Sequence, residues 1–389
     1  MTKNKNILII SPFFYPEPIS TGKFNTDMVV KLKDLGHNIT VLCSHPFYPD
    51  WKVKKSNEPI DGVKIIRGGS GIKYSKKTFV RRIVLEIWYA FFIIRNIRKY
   101  QKKSDIVIPI FPPSLAFYCI VPFLKKKIER VGIVHDLQLI YSSQKKGLIS
   151  KIASYLISKV EKKCFKSCDK LIFLSEEMRS TSINLYKLEE NKLSVQLPFV
   201  TVKDSVHTND LSKILPPNQY NIVYSGALSE KQNPYELYSI FDYLTQEIDN
   251  CQCFFFSQGP IFEKLKKNKL NDNIQFNDLV SKENIEELYQ RSSIQFIPQL
   301  PHTSKGSLPS KLPNILASGT KVLMITDKNS EIEKLFVQNN LDKVITSWDK
   351  EIILQSVKEL LGKKTDIENQ KTTARKLFSI DNMVHQVIS

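Results

Sequence analysis

Short apolar segments alternate with helical patterns along the chain, and this alternation limits the possible folds more than any other feature. Between the strand-like segments of the first half lie helical patterns, of which Gly22–Leu35 and Ile149–Cys168 are the clearest. The predicted strands of this half are Ile7–Ser11, Ile39–Ser44, Val63–Arg67, Ile106–Ile110, Gly132–His135, Leu171–Ser175 and Leu193–Phe199. A strand–helix–strand succession of this kind predicts a parallel sheet with helices on both faces.

The same alternation starts again after residues 200–218, a stretch rich in Asp, Asn and Pro that we interpret as a linker. Predicted strands of the second half are Asn221–Ser225, Cys253–Phe256, Ile274–Phe276, Ile294–Pro298 and Lys321–Thr326. A chain of 389 residues suits two domains. The sequence therefore predicts an α/β protein with two doubly wound, Rossmann-like domains, 1–199 and 219–371, with a C-terminal helix at 372–389 completing the first. Ligands of such sheets bind beyond the carboxyl ends of the strands, so we expect the active site in the cleft between the halves.

The excess of positive over negative charge is confined to the first half. Residues 1–200 hold 35 Lys and Arg against 16 Asp and Glu, whereas residues 201–389 hold 22 against 23. Such one-sided charge indicates an anionic surface or polymer as the partner of the first half. A nucleic acid is the alternative of another class, but no finger, homeodomain or repeated aromatic platform accompanies the basic residues.

We predict neither a signal peptide nor a membrane span from the sequence. The longest apolar run, Ile87–Ile94, contains aromatic residues and lies between basic ones, including Arg82 and Arg95. That pattern fits a helix in a membrane interface, and it equally fits a buried helix with solvated ends. The six cysteines lie in or beside apolar runs, which predicts reduced thiols of a cytoplasmic protein and no metal site.

The stretch Ser307–Gly319 predicts a loop followed by a helix. Pro309 would end the preceding segment, Ser310 is a suitable N-cap, and Gly319 would close the helix. The free N–H groups of such a helix start, beside Lys311, suit a bound phosphate. An ordinary capped helix with a solvated lysine is the alternative.

Eight segments along the chain, in a fixed order, carry a resemblance to a known family. They are Phe14–Pro18, Thr21–Lys23, Leu35–Leu42, Pro46–Trp51, Val134–Gln138, Tyr224–Gly226, Glu230–Gln232 and Pro309–Gly319. These segments resemble the family 4 retaining glycosyltransferases of the GT-B fold, and within that family the bacterial transferases that add fucose or fucosamine-type sugars to surface polysaccharides such as colanic acid and O-antigen.

The resemblance implies a donor site for a nucleotide-diphosphate sugar, mostly in the second half. The residues implied for donor binding are Gly22, Gly226, Lys231, Gln232, Gly259, Ser307, Leu308, Pro309, Ser310, Lys311 and Asn314. Lys231 and Lys311 would neutralise the departing diphosphate, and His135 would lie beside the transferred sugar. The residues implied for the acceptor are Thr21, Lys23, Asp136 and Gln138. The alternatives are a surface lysine at 231, a plain turn at Gly259 and a core histidine at 135.

The chain departs from the family pattern at two places. Ala227 stands where many members have arginine, and the family's paired glutamates fall on or near Gly306 and on Asn314. The amide of Asn314 could still bind ribose hydroxyls. No Asp-x-Asp pair occurs, so we expect transfer without a metal or any other cofactor. Retention of configuration is implied by the resemblance.

The resulting hypothesis is a cytoplasmic enzyme, peripheral on the inner face of the plasma membrane. It would move a hexose-type sugar from a nucleotide donor to a polyprenyl-diphosphate-linked oligosaccharide during capsule, O-antigen or exopolysaccharide synthesis. The alternatives on the same scaffold are a nucleotide-sugar epimerase, which would release free sugar, and a sugar phosphorylase, which would require inorganic phosphate. We expect no nucleic-acid partner.

Overall fold

The computed structural model describes residues 4–17, 19–139, 148–202, 209–301, 308–364 and 366–389. The chain forms two compact units, one of Met1–Pro198 with Ser379–Ser389 and the other of Phe199–Phe378. Each unit contains one all-parallel sheet with helices, so the predicted α/β architecture is confirmed. The chain enters the second unit directly at Phe199 and returns to the first at Ser379, so these boundaries differ from the sequence-based ones, 1–199, 219–371 and 372–389.

The first unit is built on a seven-stranded parallel sheet of order β3-β2-β1-β4-β5-β6-β7. Its strands are β1 (Asn6–Ile10), β2 (Asn38–Ser44), β3 (Val63–Gly68), β4 (Ile106–Phe111), β5 (Glu129–Val134), β6 (Lys170–Phe173) and β7 (Leu193–Val195). Its helices are α1 (Ser20–Asp34), α2 (Thr78–Tyr100), α3 (Leu115–Ile120), α4 (Leu148–Lys166), α5 (Glu176–Tyr186) and α13 (Ile380–Ile388). Strand order reverses between β1 and β4, which is where sheets of this kind bind ligands.

Strand β4 shows why this sheet forms in the centre of the unit, because all six of its residues are buried. Strands covered on both faces are expected to be apolar throughout. On one side of the sheet, α2, α3 and α4 share a core that includes Tyr89, Ile93, Phe117 and Phe165. The Tyr89 hydroxyl donates a hydrogen bond of 2.7 Å to the carbonyl of Leu42, which fixes α2 to the sheet.

Helix α13 returns the end of the chain to the first unit, where it packs on α1. Lys31 of α1 forms an ion pair of 2.6 Å with Asp381. The ammonium of Lys5 donates to the carbonyl of Ile388, at 2.6 Å.

The second unit is built on a six-stranded parallel sheet of order β10-β9-β8-β11-β12-β13. Its strands are β8 (Tyr220–Ser225), β9 (Cys251–Phe256), β10 (Ile274–Asn277), β11 (Ile294–Pro298), β12 (Val322–Ile325) and β13 (Lys343–Ile345). Its helices are α6 (Pro234–Glu247), α7 (Pro260–Lys267), α8 (Ile285–Arg291), α9 (Leu312–Ala317), α10 (Glu331–Gln338), α11 (Lys350–Gly362) and α12 (Ile367–Leu377). Here the strand order reverses between β8 and β11.

The cysteines of the protein are free thiols, and all except the half-buried Cys119 are buried. In the part of the chain that the structure describes, no helix is both long enough and apolar enough to cross a membrane.

Candidate active site

Two glycines mark the carboxyl edge of the second sheet. Gly226 follows β8 with φ of +118°, and Gly259 follows β9 with φ of +111°. A Cβ atom at either position would meet nothing within 4 Å. The amide of Gly226 donates to the carbonyl of Phe256 at 2.9 Å, which joins the ends of the two strands. Both turns therefore need glycine for the backbone conformation, and both leave open space for a ligand.

Lys311 lies against the first of these turns. Its ammonium donates a 2.8 Å hydrogen bond to the carbonyl of Ser225 and lies 4.0 Å from the ring centre of Tyr224. Although the residue as a whole is only half-buried, burial of the ammonium lowers the pKa of Lys311 to about 7. The structure thus brings Lys311 and Gly226 together, as a common donor site requires.

The predicted start of the helix after Pro309 is wrong. Helix α9 begins at Leu312, its N-cap is Lys311, and the exposed side chain of Ser310 forms no cap. The amide of Leu312 donates to the carbonyl of Pro309 at 3.0 Å, and Pro313 has no N–H to offer. Two of the first backbone positions of this short helix therefore have no N–H available for a phosphate. The ammonium of Lys311 is the stronger anion ligand here.

The remaining residues of this segment support the turn around Lys311. Leu308 is buried and Pro309 is half-buried, whereas Ser307 lies outside the described residues. Gly306, on or near which the family's first glutamate falls, also lies outside the described residues.

Asn314 has a different role from the predicted ribose contact. Its Oδ1 accepts hydrogen bonds from the amides of Thr201, at 2.7 Å, and Val202, at 3.1 Å. Its Nδ2 donates to the hydroxyl of Thr201 at 3.1 Å. The buried amide therefore fastens the first residues of the second unit to α9, and it is not available for ribose in this structure.

Lys231 and Gln232 lie in a short 3₁₀ turn between β8 and α6. The Gln232 side-chain carbonyl accepts from the amide of Ser229 at 3.0 Å and from its hydroxyl at 2.7 Å, so it caps this turn. The side chain of Lys231 is exposed, and its backbone carbonyl accepts a hydrogen bond of 2.7 Å from Leu300, just beyond β11. Lys231 is therefore placed where the strand order of the second sheet reverses.

His135 directly follows β5 in the first unit. Its amide donates to the carbonyl of Phe111 at 2.8 Å, and its ring meets that of Phe24 edge-on with 4.6 Å between centroids. Burial lowers the pKa of His135 to about 3, so the imidazole is neutral at physiological pH. Its buried Nε2 atom has no hydrogen-bond partner among the described residues. A packed imidazole with one unused ring nitrogen can bind a sugar hydroxyl without carrying charge.

The Thr21–Lys23 segment forms the first turn of α1, beside β1. Gly22 is buried in that helix, and a Cβ there would lie 3.0 Å from both Cβ and the carbonyl oxygen of Glu17. The lack of a side chain at Gly22 therefore also allows packing against the chain itself, and its approach to a ligand stays a prediction. Thr21 and Lys23 are half-buried on the same turn.

The segment after β5 is held by two glutamates that no sequence motif indicates. The backbone amide of Gln138 donates to the Glu161 carboxylate at 2.9 Å, and its side-chain Nε2 donates to the Glu86 carboxylate at 2.8 Å. Glu161 is fully buried and also accepts from the hydroxyl of Tyr186 at 2.5 Å. Burial raises the pKa of Glu161 to about 7. Gln138 therefore positions the segment that carries His135 and the half-buried Asp136, which revises its predicted acceptor contact.

A third buried carboxylate shapes the carboxyl edge of the first sheet. Glu17 accepts hydrogen bonds from the amides of Phe47, at 3.0 Å, and Tyr48, at 2.6 Å. Burial raises its pKa to about 7. Glu17 and the Pro46–Trp51 segment both belong to stretches that carry the family resemblance, but neither stretch indicates this contact.

Candidate metal ligands do not cluster in the part of the chain that the structure describes: no three His, Cys, Asp or Glu side chains are grouped so that they could hold an ion.

Comparison with known proteins identifies the chemistry of this scaffold. The model of Glycosyltransferase Family 4 matches residues 22–203. The chain is 25% identical over 355 residues to the colanic acid biosynthesis glycosyl transferase WcaI of Escherichia coli (strain K12), which covers 85% of each chain.

Solved structures show the same fold. Sucrose-phosphate synthase from Thermosynechococcus elongatus matches with a TM-score of 0.73 at 12% identity, covering 98% of this chain and 97% of that one. WaaG, a glycosyltransferase involved in lipopolysaccharide biosynthesis, matches with a TM-score of 0.70 at 14% identity over 98% of this chain and 99% of its own. Anabaena HepE in complex with UDP has a TM-score of 0.64 at 10% identity, and the match covers 98% of each chain.

Residues 22–203 therefore match the glycosyltransferase family 4 model, and the chain has the GT-B fold of these solved structures. The protein is a hexosyltransferase, so both the family resemblance and the enzyme class predicted from the sequence are confirmed.

Proposed function

We propose that the enzyme transfers a hexose-type sugar from a nucleotide-diphosphate donor to a polyprenyl-diphosphate-linked oligosaccharide. The single observation that carries the proposed donor binding is the position of the Lys311 ammonium against the glycine turn at Gly226. The named roles of two similar proteins, WcaI in colanic acid and WaaG in lipopolysaccharide biosynthesis, support a place in surface polysaccharide synthesis, such as capsule, O-antigen or exopolysaccharide. The UDP bound by HepE supports a nucleotide-sugar donor.

The donor would lie at the carboxyl edge of the second sheet. Negative charge develops on the leaving diphosphate, and fixed cations aimed at that charge are the largest expected catalytic contribution. Lys311 is held there by Ser225 and Tyr224, and Lys231 follows on the next turn. Open space at Gly226 and Gly259 lets phosphates and nucleotide approach the backbone.

Transfer would proceed with retention and without a metal or other cofactor. The acceptor hydroxyl oxygen bonds to the anomeric carbon, the bond from that carbon to the donor phosphate breaks, and the acceptor proton passes to the departing phosphate oxygen. This route needs no carboxylate nucleophile. The lack of any Asp-x-Asp pair in the sequence supports charge neutralisation by lysines.

The lipid-linked acceptor implies work at an anionic membrane surface, and α2 offers a suitable face. Its buried side includes Tyr89 and Ile93, whereas the opposite side exposes a stripe of apolar residues. The stripe consists of Phe79, Val80, Ile83, Ile87, Phe91 and Ile94, with 38% to 69% of each residue exposed. The buried side fits the interpretation of α2 as a packed helix, and the exposed stripe supports the proposed membrane contact.

Basic residues border this stripe. A cavity of about 520 Å³ at the end of α2 is lined by Arg98, Lys99, Gln101, Lys102 and Lys125. Helix α4 adds the exposed Tyr155 and Leu156, and the Lys159 ammonium lies 4.6 Å from the Tyr155 ring centre. Apolar side chains flanked by cations are typical of surfaces that bind anionic lipid. We therefore propose a peripheral protein on the cytoplasmic face of the plasma membrane, with no nucleic-acid partner.

The proposed donor binding is tested by measuring turnover with a panel of nucleotide sugars, with a membrane extract as the source of the acceptor. Lys311→Met keeps the length of the side chain and removes a buried charge, so the fold should persist while kcat/KM falls about a hundredfold or more. Lys267→Met, at an exposed position on α7, is the matched control and should stay within about twofold of wild type.

Unchanged turnover of Lys311→Met would remove Lys311 from the mechanism. Release of free sugar in the absence of any acceptor would instead indicate an epimerase, and a strict need for inorganic phosphate would indicate a phosphorylase.

A further inference from the structure

Gln299 follows β11 at the carboxyl edge of the second sheet, and hydrogen bonds fix its backbone there. Its amide donates at 2.9 Å to the carbonyl of Ile325, the last residue of β12. Its carbonyl accepts from Nε1 of Trp348 at 3.2 Å. The next amide, that of Leu300, donates to the carbonyl of Lys231 at 2.7 Å. Gln299 is therefore held between the end of β12 and the turn that contains Lys231.

The register of the sheet places Gln299 beside the proposed donor site. Gln295 of β11 pairs with Val223 of β8, and the two strands are parallel. Continued along both chains, this register puts Gln299 one residue beyond the level of Gly226. Neighbouring strands lie about 4.8 Å apart, a distance that a glutamine side chain can span. A ligand at the Gly226 turn therefore lies within reach of the Gln299 side chain.

A chain of hydroxyl groups orients the side-chain amide of Gln299. Ser330, the N-cap of α10, accepts at Oγ from the amide of Glu333 at 3.2 Å. Its hydroxyl lies 3.2 Å from that of Thr326, which donates to Oε1 of Gln299 at 2.7 Å. Since Thr326 gives its only hydroxyl proton to Gln299, the Ser330 hydroxyl is the donor to Thr326. Both hydroxyl residues are buried, so this chain is shielded from solvent.

The hydroxyl chain decides which end of the Gln299 amide can meet a ligand. Because Oε1 is engaged by Thr326, the Nε2 group faces the other way, and it has no hydrogen-bond partner among the described residues. The residue is half-buried, and Nε2 is not one of the buried atoms without a partner, so it is accessible. Lys231 and Lys311 already offer charge for the diphosphate. The neutral N–H group of Gln299 is suited to an uncharged acceptor oxygen.

We propose that Gln299 is a specificity-determining residue, which donates a hydrogen bond from Nε2 to an oxygen of the transferred sugar. This inference rests on the proposed function and assigns one contact within the donor site. Thr326 and Ser330 are positioning residues, because they act by holding Oε1 of Gln299. A sugar that lacks the acceptor oxygen leaves the Nε2 group unpaired and is bound less tightly. The contact therefore distinguishes sugars that differ by one hydroxyl or acetamido group.

Calorimetry on the full-length protein tests the contact with two pairs of probes, UDP with UDP-N-acetylglucosamine and GDP with GDP-fucose. Gln299→Met keeps the length of the side chain and removes its hydrogen bonds, so the Kd of the sugar nucleotide should rise about five- to tenfold. The Kd of the matching nucleoside diphosphate should stay within about twofold. Gln338→Met, at the exposed end of α10, is the matched control and should leave both values within about twofold of wild type.

Equal losses for the nucleoside diphosphate and the sugar nucleotide would assign Gln299 to phosphate binding and overturn the proposal. Unchanged affinities in Gln299→Met would overturn it as well. If none of the four probes binds to the wild-type protein, the proposed donor binding fails together with this inference. Wild-type binding that Gln299→Met leaves intact refutes the inference alone.

A double-mutant cycle tests whether Thr326 acts through Gln299. Thr326→Val removes the hydroxyl at nearly constant volume and should raise the Kd of the sugar nucleotide about two- to fivefold. The same substitution should add nothing in the Gln299→Met background, because no amide remains to be oriented. Additive effects of the two substitutions would refute the positioning role of Thr326.

Discussion

At the residue scale, the side-chain amine of Lys311 is charged in about half of the molecules at pH 7. Its burial against Tyr224 and the Ser225 carbonyl lowers the pKa to about 7. A donor diphosphate at the same place would favour the charged form and raise that pKa again. Donor binding and protonation of Lys311 are therefore expected to be coupled near neutral pH.

We predict that donor binding takes up a proton at pH 8. In the free enzyme the Lys311 side chain is mostly deprotonated above pH 7, whereas the donor complex needs its ammonium form. The donor Kd should therefore rise by up to about tenfold per pH unit above 7. Calorimetry in two buffers with different ionisation enthalpies measures the proton uptake. The Lys311→Met variant should show none. Uptake that persists in this variant would assign the proton to another group.

Single residues also show how far the sequence alone can lead. Lys311 and Gly226 could be selected because they lie in segments that resemble a known family. The contacts of Glu17 and Glu161 could not, because their partners, such as Phe47 and Tyr186, lie far away in the sequence. The contact of Asn314 with Thr201 joins residues 113 positions apart, so the sequence does not indicate it.

At the element scale, the turns after β8 and β9 decide the shape of the donor site. Both contain a glycine in a conformation that other residues rarely adopt, with φ of +118° at Gly226 and +111° at Gly259. A Cβ would meet no atom within 4 Å at either turn. The need for glycine there is therefore a need for backbone freedom and not for space.

We predict that Gly226→Ala and Gly259→Ala each lower the free energy of unfolding by about 1 to 2 kcal/mol. Gly362 is the matched control, because it lies in α11 with equally open space and no positive φ. Gly362→Ala should raise stability by up to about 1 kcal/mol. Urea unfolding of the three variants measures these differences. The argument fails if all three substitutions have the same effect.

Elements whose apolar pattern is strong could be predicted closely, and elements fixed by local backbone chemistry could not. Strand β11 has the predicted bounds, Ile294–Pro298, because all five of its residues are buried in the sheet. Helix α9 starts at Leu312 instead of Ser310, because the Leu312 amide already bonds to Pro309 and Pro313 has no N–H. The preference of serine for the N-cap position does not indicate where backbone hydrogen bonds such as that of Leu312 will form.

At the scale of the whole molecule, charge and exposed apolar surface coincide in one unit. The first 200 residues carry an excess of 19 positive charges. The exposed apolar stripe of α2 lies in the same unit, and its Phe91 is 69% exposed. Leu270 in the second unit is even more exposed, at 95%, but it is not part of such a stripe. The sequence predicts the charge asymmetry directly, whereas the stripe is visible only once the buried face of α2 is known.

We predict that the protein binds vesicles containing phosphatidylglycerol and that binding weakens as salt is raised from 50 to 500 mM, because the Debye length then falls from more than ~10 Å to a few ångström. Phe91→Ser should weaken binding about tenfold or more, since a buried phenylalanine contributes about 1.5 to 3 kcal/mol. Leu270→Ser makes a similar change outside the stripe and should have no effect. Vesicle sedimentation measures all of these. Equal binding to neutral phosphatidylcholine vesicles would refute the electrostatic part, and equal losses in the two variants would refute the role of α2.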